Sequence, residues 1–291
     1  MAEELIGIIG GSGLGDALAE KLCNAEKIEI TTPFGKCSDS ILLGKFGNRK
    51  VAFLNRHGQG HKLSPHEVPF AANIFALKEL GVRAIIASGA VGSLREEIAP
   101  KDLIIVDQII DKTFRQNSSF FDGFGTVHCE MAQPTCGRLR RLIAQTAKQI
   151  DVKTHESGTY ICMQGPQFST RAESLMHRQW GADLIGMTAM PEAKLAREAQ
   201  ICYALIALAS DYDCWQQREA EKDKQTLLKE IIGNLQRATA NAVKLIKAVL
   251  QKNTDVMEHN CHCRKSLELA VWTKQNKINK KKRDSLKVLF E

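Results

Sequence analysis

Eight short apolar runs recur through the first 250 residues, and several are apolar throughout instead of alternating with polar side chains. They are Leu5–Gly10, Ser40–Phe46, Val51–Arg56, Ala84–Ser88, Leu103–Ile110, Gly158–Met163, Asp183–Met187 and Tyr203–Ser210. A strand that is apolar on both faces has to be covered on both, which is the situation of strands in a parallel sheet. Runs with helical spacing stand between them: Pro69–Glu79, Thr135–Gln149, Ser169–Gln179 and Met190–Gln200. A longer one follows at Ala220–Gln251, where Leu227, Leu228, Ile231, Ile232, Leu235, Ala238, Ala242, Leu245 and Ile246 share a face. The alternation predicts an α/β fold, a single domain with a twisted, mixed, mostly parallel central β-sheet flanked by helices. That domain is expected over residues 1–252, with 253–291 as a C-terminal basic tail.

Composition narrows the setting. The 291 residues are 44% hydrophobic and 25% charged, which is ordinary for a globular protein. Met1–Leu5 is acidic and the run after it is too short for a signal sequence; no stretch approaches the length of a membrane span. Nine scattered cysteines, several inside apolar runs, suit buried thiols in a reducing cytoplasm. The net charge of +7 is concentrated in the tail, where nine Lys/Arg stand against five Asp/Glu from Asn253 onward. Lys280-Lys281-Lys282-Arg283 is a short run with few aromatic neighbours, so nucleic acid is not an expected partner.

The residues with chemical potential cluster at strand ends, where open α/β sheets hold their ligands. Gly10-Gly11-Ser12-Gly13-Leu14-Gly15 follows the first strand; such a loop brings backbone N–H groups and the Ser12 hydroxyl close to an anion. It is a poor dinucleotide fingerprint, because Asp16 stands where a third glycine is needed. Arg56 and His57 follow the third strand, offering a bidentate fork and a further donor for phosphate oxygens. Ser88-Gly89-Ala90-Val91-Gly92-Ser93 and Thr188 add small residues and free amides at two more strand ends. Phe168 and Ser169 lie at a strand-to-helix junction, where Phe168 could carry a flat base. Asp211 and Asp213, two apart at the end of the last strand, can accept hydrogen bonds from an exocyclic amine or, when protonated, donate to a ring nitrogen. Two carboxylates with no His or further acid nearby make a poor metal site.

Taken as a set, these strings resemble the trimeric purine nucleoside phosphorylases, and within them the branch acting on 5′-methylthioadenosine. The carrying strings are Ile8-Ile9-Gly10-Gly11-Ser12-Gly13-Leu14, Thr32-Pro33-Phe34-Gly35, Arg56-His57-Gly58, Gly92-Ser93-Leu94-Arg95-Glu96-Glu97-Ile98, Gly165-Pro166-Gln167-Phe168-Ser169-Thr170-Arg171-Ala172-Glu173, Met187-Thr188-Ala189-Met190-Pro191-Glu192 and Ser210-Asp211-Tyr212-Asp213-Cys214-Trp215. The resemblance implies that Ser12, Arg56, His57, the backbone of Ala90, and Thr188 hold phosphate. It places Met187 under the ribose and Phe168 and Ser169 beside the purine. Asp211 and Asp213 would read the adenine amino group and N7, with Asp211 the expected proton donor. His128 matches a position that reaches a neighbouring subunit's 5′ pocket, so a trimer or a pair of trimers is expected. The activity implied is phosphorolysis of 5′-methylthioadenosine to adenine and 5-methylthioribose 1-phosphate, with inorganic phosphate as co-substrate and no cofactor or metal. Gln164 stands where the family often has Glu, and some methylthioinosine-preferring relatives also carry Gln there, so activity on 6-oxopurine nucleosides stays open. Gly89 stands where many relatives have Thr, which removes one hydroxyl contact to phosphate that backbone amides could replace. Cys261-x-Cys263 resembles pairs that form disulfides in some thermostable relatives. The alternatives are two free thiols in a surface tail, or a weak metal clamp with His259 and His262, although the usual zinc spacing is missing.

Overall fold

The computed structural model describes residues 5–11, 14, 22–47, 49–115, 118–216, 223–251 and 260–291. Along the chain stand β1 (Leu5–Gly10), β2 (Cys23–Ile28), β3 (Thr31–Thr32), β4 (Gly35–Lys36), β5 (Ile41–Phe46), β6 (Arg49–Asn55), α1 (Phe70–Glu79), β7 (Val82–Ser93), β8 (Leu103–Ile105) and β9 (Gln108–Lys112). They are followed by α2 (Gly137–Gln149), β10 (Thr154–His155), β11 (Thr159–Met163), α3 (Arg171–Gln179), β12 (Leu184–Gly186), α4 (Ala189–Glu198), β13 (Cys202–Asp211), α5 (Lys224–Gln251) and α6 (Lys280–Ser285).

The sheet runs β10-β8-β13-β7-β1-β6-β5-β2, and β12, β11 and β9 branch from the far end of β7. Pairing is mostly parallel, including β1 with β6 and β7, and β7 with β13. The antiparallel pairs are β8 with β13, β12 with β7, and the β2, β5, β6 group. Successive residues of the central strands feed opposite layers. Ile9, Ile85 and Ala87 join α1 and α4 in one core, while Ile6, Ile8, Ala84 and Ile86 join α2 and α5 in the other. This two-sided burial is why the runs lack polar alternation, and the single mixed sheet with flanking helices is the expected fold class.

Several local expectations change. The run 88–93, read as a loop after a strand, is the second half of β7. Its parallel partner β1 ends against Ala87, and its last residues turn to pair with β12. Leu103–Ile110 divides at Val106-Asp107 into β8 and β9, which join different partners. Strand β2 had no apolar signal, because its residues Cys-Asn-Ala-Glu-Lys-Ile lie on an exposed sheet edge. Helix α3 is capped by Thr170 and not by Ser169: the Thr170 side chain accepts from the Glu173 N–H, and the Glu173 carboxylate accepts from the Thr170 N–H at 2.8 Å.

The segment from residue 260 does not stand apart from the domain core. Leu267, Ala270, Leu286 and Leu289 are buried in one layer, and Cys261 and Cys263 in the other. A helix at Ser266–Lys274 is absent; that stretch is turns and a bridge from Val271 to Val127, and the helix forms later, over the basic run, capped by Asn279. Among the described residues, no helix is long and apolar enough to cross a membrane.

Candidate active site

Arg56 leaves the end of β6 and is completely buried. Its backbone N–H donates to the Gly10 carbonyl at 2.9 Å, which ties it to the end of β1. Nε and Nη2 donate to the two carboxylate oxygens of Glu192 at 2.7 and 2.8 Å, and Nη1 donates to the Ser88 carbonyl at 2.7 Å. Tyr203 donates its hydroxyl to the same Glu192 carboxylate at 2.8 Å. Burial works against the Arg56 charge, but Glu192 outweighs it and holds the guanidinium above its ordinary pKa. The cation is therefore permanent, and its fork is held rigidly by α4 and β7.

The ends of β1 and β12 and the middle of β7 meet this guanidinium. A side chain at Gly11 would begin 3.0 Å from Arg56 Nη1 and 3.0 Å from the Ser88 oxygen. One at Gly89 would begin 3.4 Å from Thr188 Oγ1 and 4.0 Å from Arg56 Nη1. The absence of a Cβ at Gly11 avoids a close contact with Arg56 and Ser88, and at Gly89 it widens the small space between Arg56, Thr188 and the two backbones. Ser88 turns its carbonyl to Arg56, and Ala90, two residues along, presents its backbone polar groups to the same edge of β7. That edge is free there because β1 has already ended. Gly11, Arg56, Ala90 and Thr188 thus come together, with three of the five Arg56 N–H groups engaged by described residues. Ser12 lies outside the described residues.

His57 sits beside Arg56 and is buried. Its Nδ1 is 2.8 Å from the Leu63 carbonyl, which can only accept, so Nδ1 carries the hydrogen. Burial, then the neighbouring Arg56, push its pKa down to about 4. The neutral ring has Nε2 as an acceptor, whereas the sequence reading had it as a donor.

The base end of the site is the turn after β13. Asp211 accepts from the Ser210 hydroxyl at 2.7 Å and from the Asp213 N–H at 2.7 Å. Asp213 stands at φ +50° and accepts from the Ser174 hydroxyl of α3. Burial raises the Asp213 carboxyl above the usual carboxylate range, with Ser174 pulling the other way. Trp215 pins the turn by donating its indole N–H to the Ser93 carbonyl at 2.8 Å, and Arg178 stacks on that indole at 3.7 Å. A side chain at Gly92 would begin 3.1 Å from the Asp213 Cβ and 3.4 Å from Asp211 Oδ1, so β7 passes this turn in tight contact. Ser169 accepts at its carbonyl from the Cys214 thiol at 3.3 Å, which sets it against this turn.

Met187 follows β12, and its sulfur would lie 2.6 Å from a side chain at Gly165. Its carbonyl accepts from Arg115 at 2.5 Å. Gln164 turns its Oε1 to the Phe114 N–H at 2.9 Å, a role any acceptor at this position could fill. A cleft of about 710 Å³ opens beside it, bordered by Phe34, Phe70, Phe114, Arg115 and Pro191. Phe168 is 85% exposed. His128 is exposed, packs edge-to-face on Trp272 at 5.3 Å, and donates its backbone N–H to Ala270. No interaction among the described residues joins either of them to the Arg56 cluster or to the two aspartates. Sequence reasoning missed Glu192 as the partner of Arg56, Tyr203 as the donor to Glu192, and Ser174 as the partner of Asp213. Glu192 alone carried a signal, as an acid in the first turn of its helix, directly after Ala189-Met190-Pro191.

An anion cradle built on a buried arginine lies at one stretch of β7, and a half-buried carboxylate pair lies at the other, on a mixed α/β sheet. Residues 5–251 match the model of the phosphorylase superfamily, and the chain belongs to that family. It is 48% identical over 268 residues to the S-methyl-5′-thioadenosine phosphorylase of Saccharolobus solfataricus, covering 91% of this chain and 96% of that one. A methylthioadenosine phosphorylase sourced from an Antarctic soil metagenomic library has a similar structure, with TM-score 0.89, 42% identity and 99% of each chain covered. The adenosine/methylthioadenosine phosphorylase of Schistosoma mansoni, solved as a mutant in complex with methylthioadenosine, superposes with TM-score 0.80 at 32% identity, covering 91% of this chain and 98% of that one.

Proposed function

We propose that this chain catalyses phosphorolysis of 5′-methylthioadenosine, releasing adenine and 5-methylthioribose 1-phosphate. The observation that carries the reading is the convergence of Gly11, Arg56, Ala90 and Thr188 on one small space, with Asp211 and Asp213 at the neighbouring end of β13. The S-methyl-5′-thioadenosine phosphorylase of Saccharolobus solfataricus, at 48% identity, and the Antarctic soil methylthioadenosine phosphorylase, at 42%, support it.

Phosphate is the nucleophile. Arg56, the Ala90 N–H and Thr188 hold it, with Ser12 completing the set. A phosphate bearing one proton fits His57, whose Nε2 accepts from the P–OH group while its Nδ1 stays on Leu63. Held so, the anion attacks the anomeric carbon directly, and its charge stabilises the cationic ribosyl group as the glycosidic bond breaks. Adenine leaves as N7 gains a proton. Asp211 already accepts two hydrogen bonds and suits the exocyclic amine. Asp213, raised by burial, suits the proton transfer, so the two roles are exchanged relative to the sequence expectation. Met187 lies under the ribose and Phe168 and Ser169 border the base. The reaction draws on no cofactor. The same reading includes a trimer, or a pair of trimers, in the cytoplasm; the exposed Phe168, His128 and Trp272 are then covered by neighbouring subunits.

The test is a panel of methylthioadenosine, adenosine, methylthioinosine and inosine, each with and without phosphate, followed by chromatography of the free base. Phosphate-dependent adenine release, fastest from methylthioadenosine, is expected. Preference for the 6-oxo nucleosides would overturn the base-site roles. Absence of phosphate-dependent cleavage from all four would overturn the activity.

A further inference from the structure

Four cysteines that share no local motif meet at one point on the face of the sheet covered by α2 and α5. Cys136 is the N-cap of α2, Cys202 opens β13, and Cys261 and Cys263 flank His262 in the C-terminal segment. All four are buried, and their sulfur atoms all lie within 4.8 Å of one another. The Cys136 and Cys261 sulfurs are 3.6 Å apart.

Four thiolates at about 2.3 Å from a tetrahedral cation stand ~3.8 Å from each other, whereas a disulfide needs sulfurs ~2.05 Å apart. The cluster already has the spacing of the first arrangement. The surroundings also suit it. A tetrathiolate around a divalent ion carries two negative charges. Cys136 lies at the positive end of α2, and Arg138 Nη2 is 3.9 Å from the Cys202 sulfur. All four cysteines belong to the buried apolar layer that also contains Leu139, Ile143, Ile246 and Val249. The two protein segments brought together, 136–202 and 261–263, are separated by the whole of α5. A bound ion would therefore close a long loop and fasten the C-terminal segment to the sheet.

We propose that Cys136, Cys202, Cys261 and Cys263 form a structural tetrathiolate site for a thiophilic divalent cation of the zinc class. The four thiols lose their protons to solvent as the ion enters, and no electron transfer is involved. The site is closed, with all four positions filled by protein, and it is separate from Arg56 and the aspartate pair.

The test uses the full chain produced with zinc in the medium and purified without chelator. Elemental analysis is expected to find one zinc per chain, and the intact mass in denaturant to match fully reduced cysteines. Production with cobalt instead of zinc is expected to give the absorption bands of a tetrahedral cobalt tetrathiolate. The double substitution Cys261→Ser, Cys263→Ser is expected to abolish stoichiometric metal; should that variant fail to fold, the cobalt spectrum of the unaltered chain decides. Metal-free protein, whether with four free thiols or with a mass deficit of two hydrogens per bridge, would overturn the proposal. Cobalt protein without thiolate charge-transfer bands would overturn it as well.

Discussion

Arg56 shows how one side chain can be committed twice. Its fork is occupied by Glu192 on one side, and Nη1 borders the space between Gly11 and Gly89. Removing one partner of a buried pair leaves the other charge uncompensated, at a cost of about 3–5 kcal/mol. Glu192→Ala is therefore expected to destabilise the fold by about that much and to raise the KM for phosphate. Tyr203→Phe removes only a hydroxyl from the same carboxylate and is expected to cost about 1 kcal/mol. Denaturant melts of the two variants check this, and equal costs would remove Glu192 from its role. At the other end, the Ser174 hydroxyl stabilises the charged form of Asp213. Ser174→Ala thus raises the Asp213 pKa further. If protonated Asp213 assists the leaving base, activity falls as pH rises through that pKa. The alkaline limb of kcat/KM is then expected to move to higher pH in the variant. A limb that stays in place would show that Asp213 is not the proton carrier.

The elements carry these residues into register, and β7 does most of it. Its first half is locked between β1 and β13, and its second half passes both ends of the site before pairing with β12. Gly92 is the point of closest approach, where a methyl group would press on the Asp213 Cβ and on Ile185. Gly92→Ala is expected to cost about 1–3 kcal/mol in overpacking and to displace the aspartate turn, lowering kcat/KM by about 10²-fold. Thermal melts beside kinetics would test it; a variant with native kinetics would mean that β7 does not set the turn. This strand also marks where the sequence stopped being legible. The apolar runs revealed the sheet, and β1 has the predicted bounds, because two-sided burial writes itself into composition. The continuation through Ser88-Gly89-Ala90 did not, because small residues read as a loop wherever a ligand space keeps side chains out. Strand β2 was invisible for the opposite reason, since an exposed edge places no apolar demand on its residues. Arg56 and Thr188 were readable as strand-end residues. Their partners were not, because Glu192 is 136 residues from Arg56 and Ser174 is 39 from Asp213.

At the scale of the whole molecule, the basic composition of the last 30 residues hides their packing. The charges of Lys280-Lys281-Lys282 face outward, while Leu286 and Leu289, spaced for one side of a turn, are buried in the core beneath α1 and α4. The chain is fastened there a second time by Gln200, whose side-chain amide donates to the Leu289 carbonyl at 2.8 Å. This makes the segment part of the layer that also contains Phe75, Leu195 and Phe120, next to the helix that delivers Glu192 to Arg56. Leu289→Ala removes buried methyl groups from a filled position and is expected to destabilise the protein by about 2–5 kcal/mol. Lys281→Ala, on an exposed face of α6, is expected to stay within about 0.5 kcal/mol of the unaltered protein. Urea denaturation of the two variants at equal protein concentration measures the difference directly. A loose, solvated end would give the same midpoint for both. A shared core would lower the midpoint for Leu289→Ala alone, and would weaken phosphate binding with it, because the segment is bonded to the C-terminal end of α4 through Ser266 to the Arg197 carbonyl and through Gln200 to Leu289.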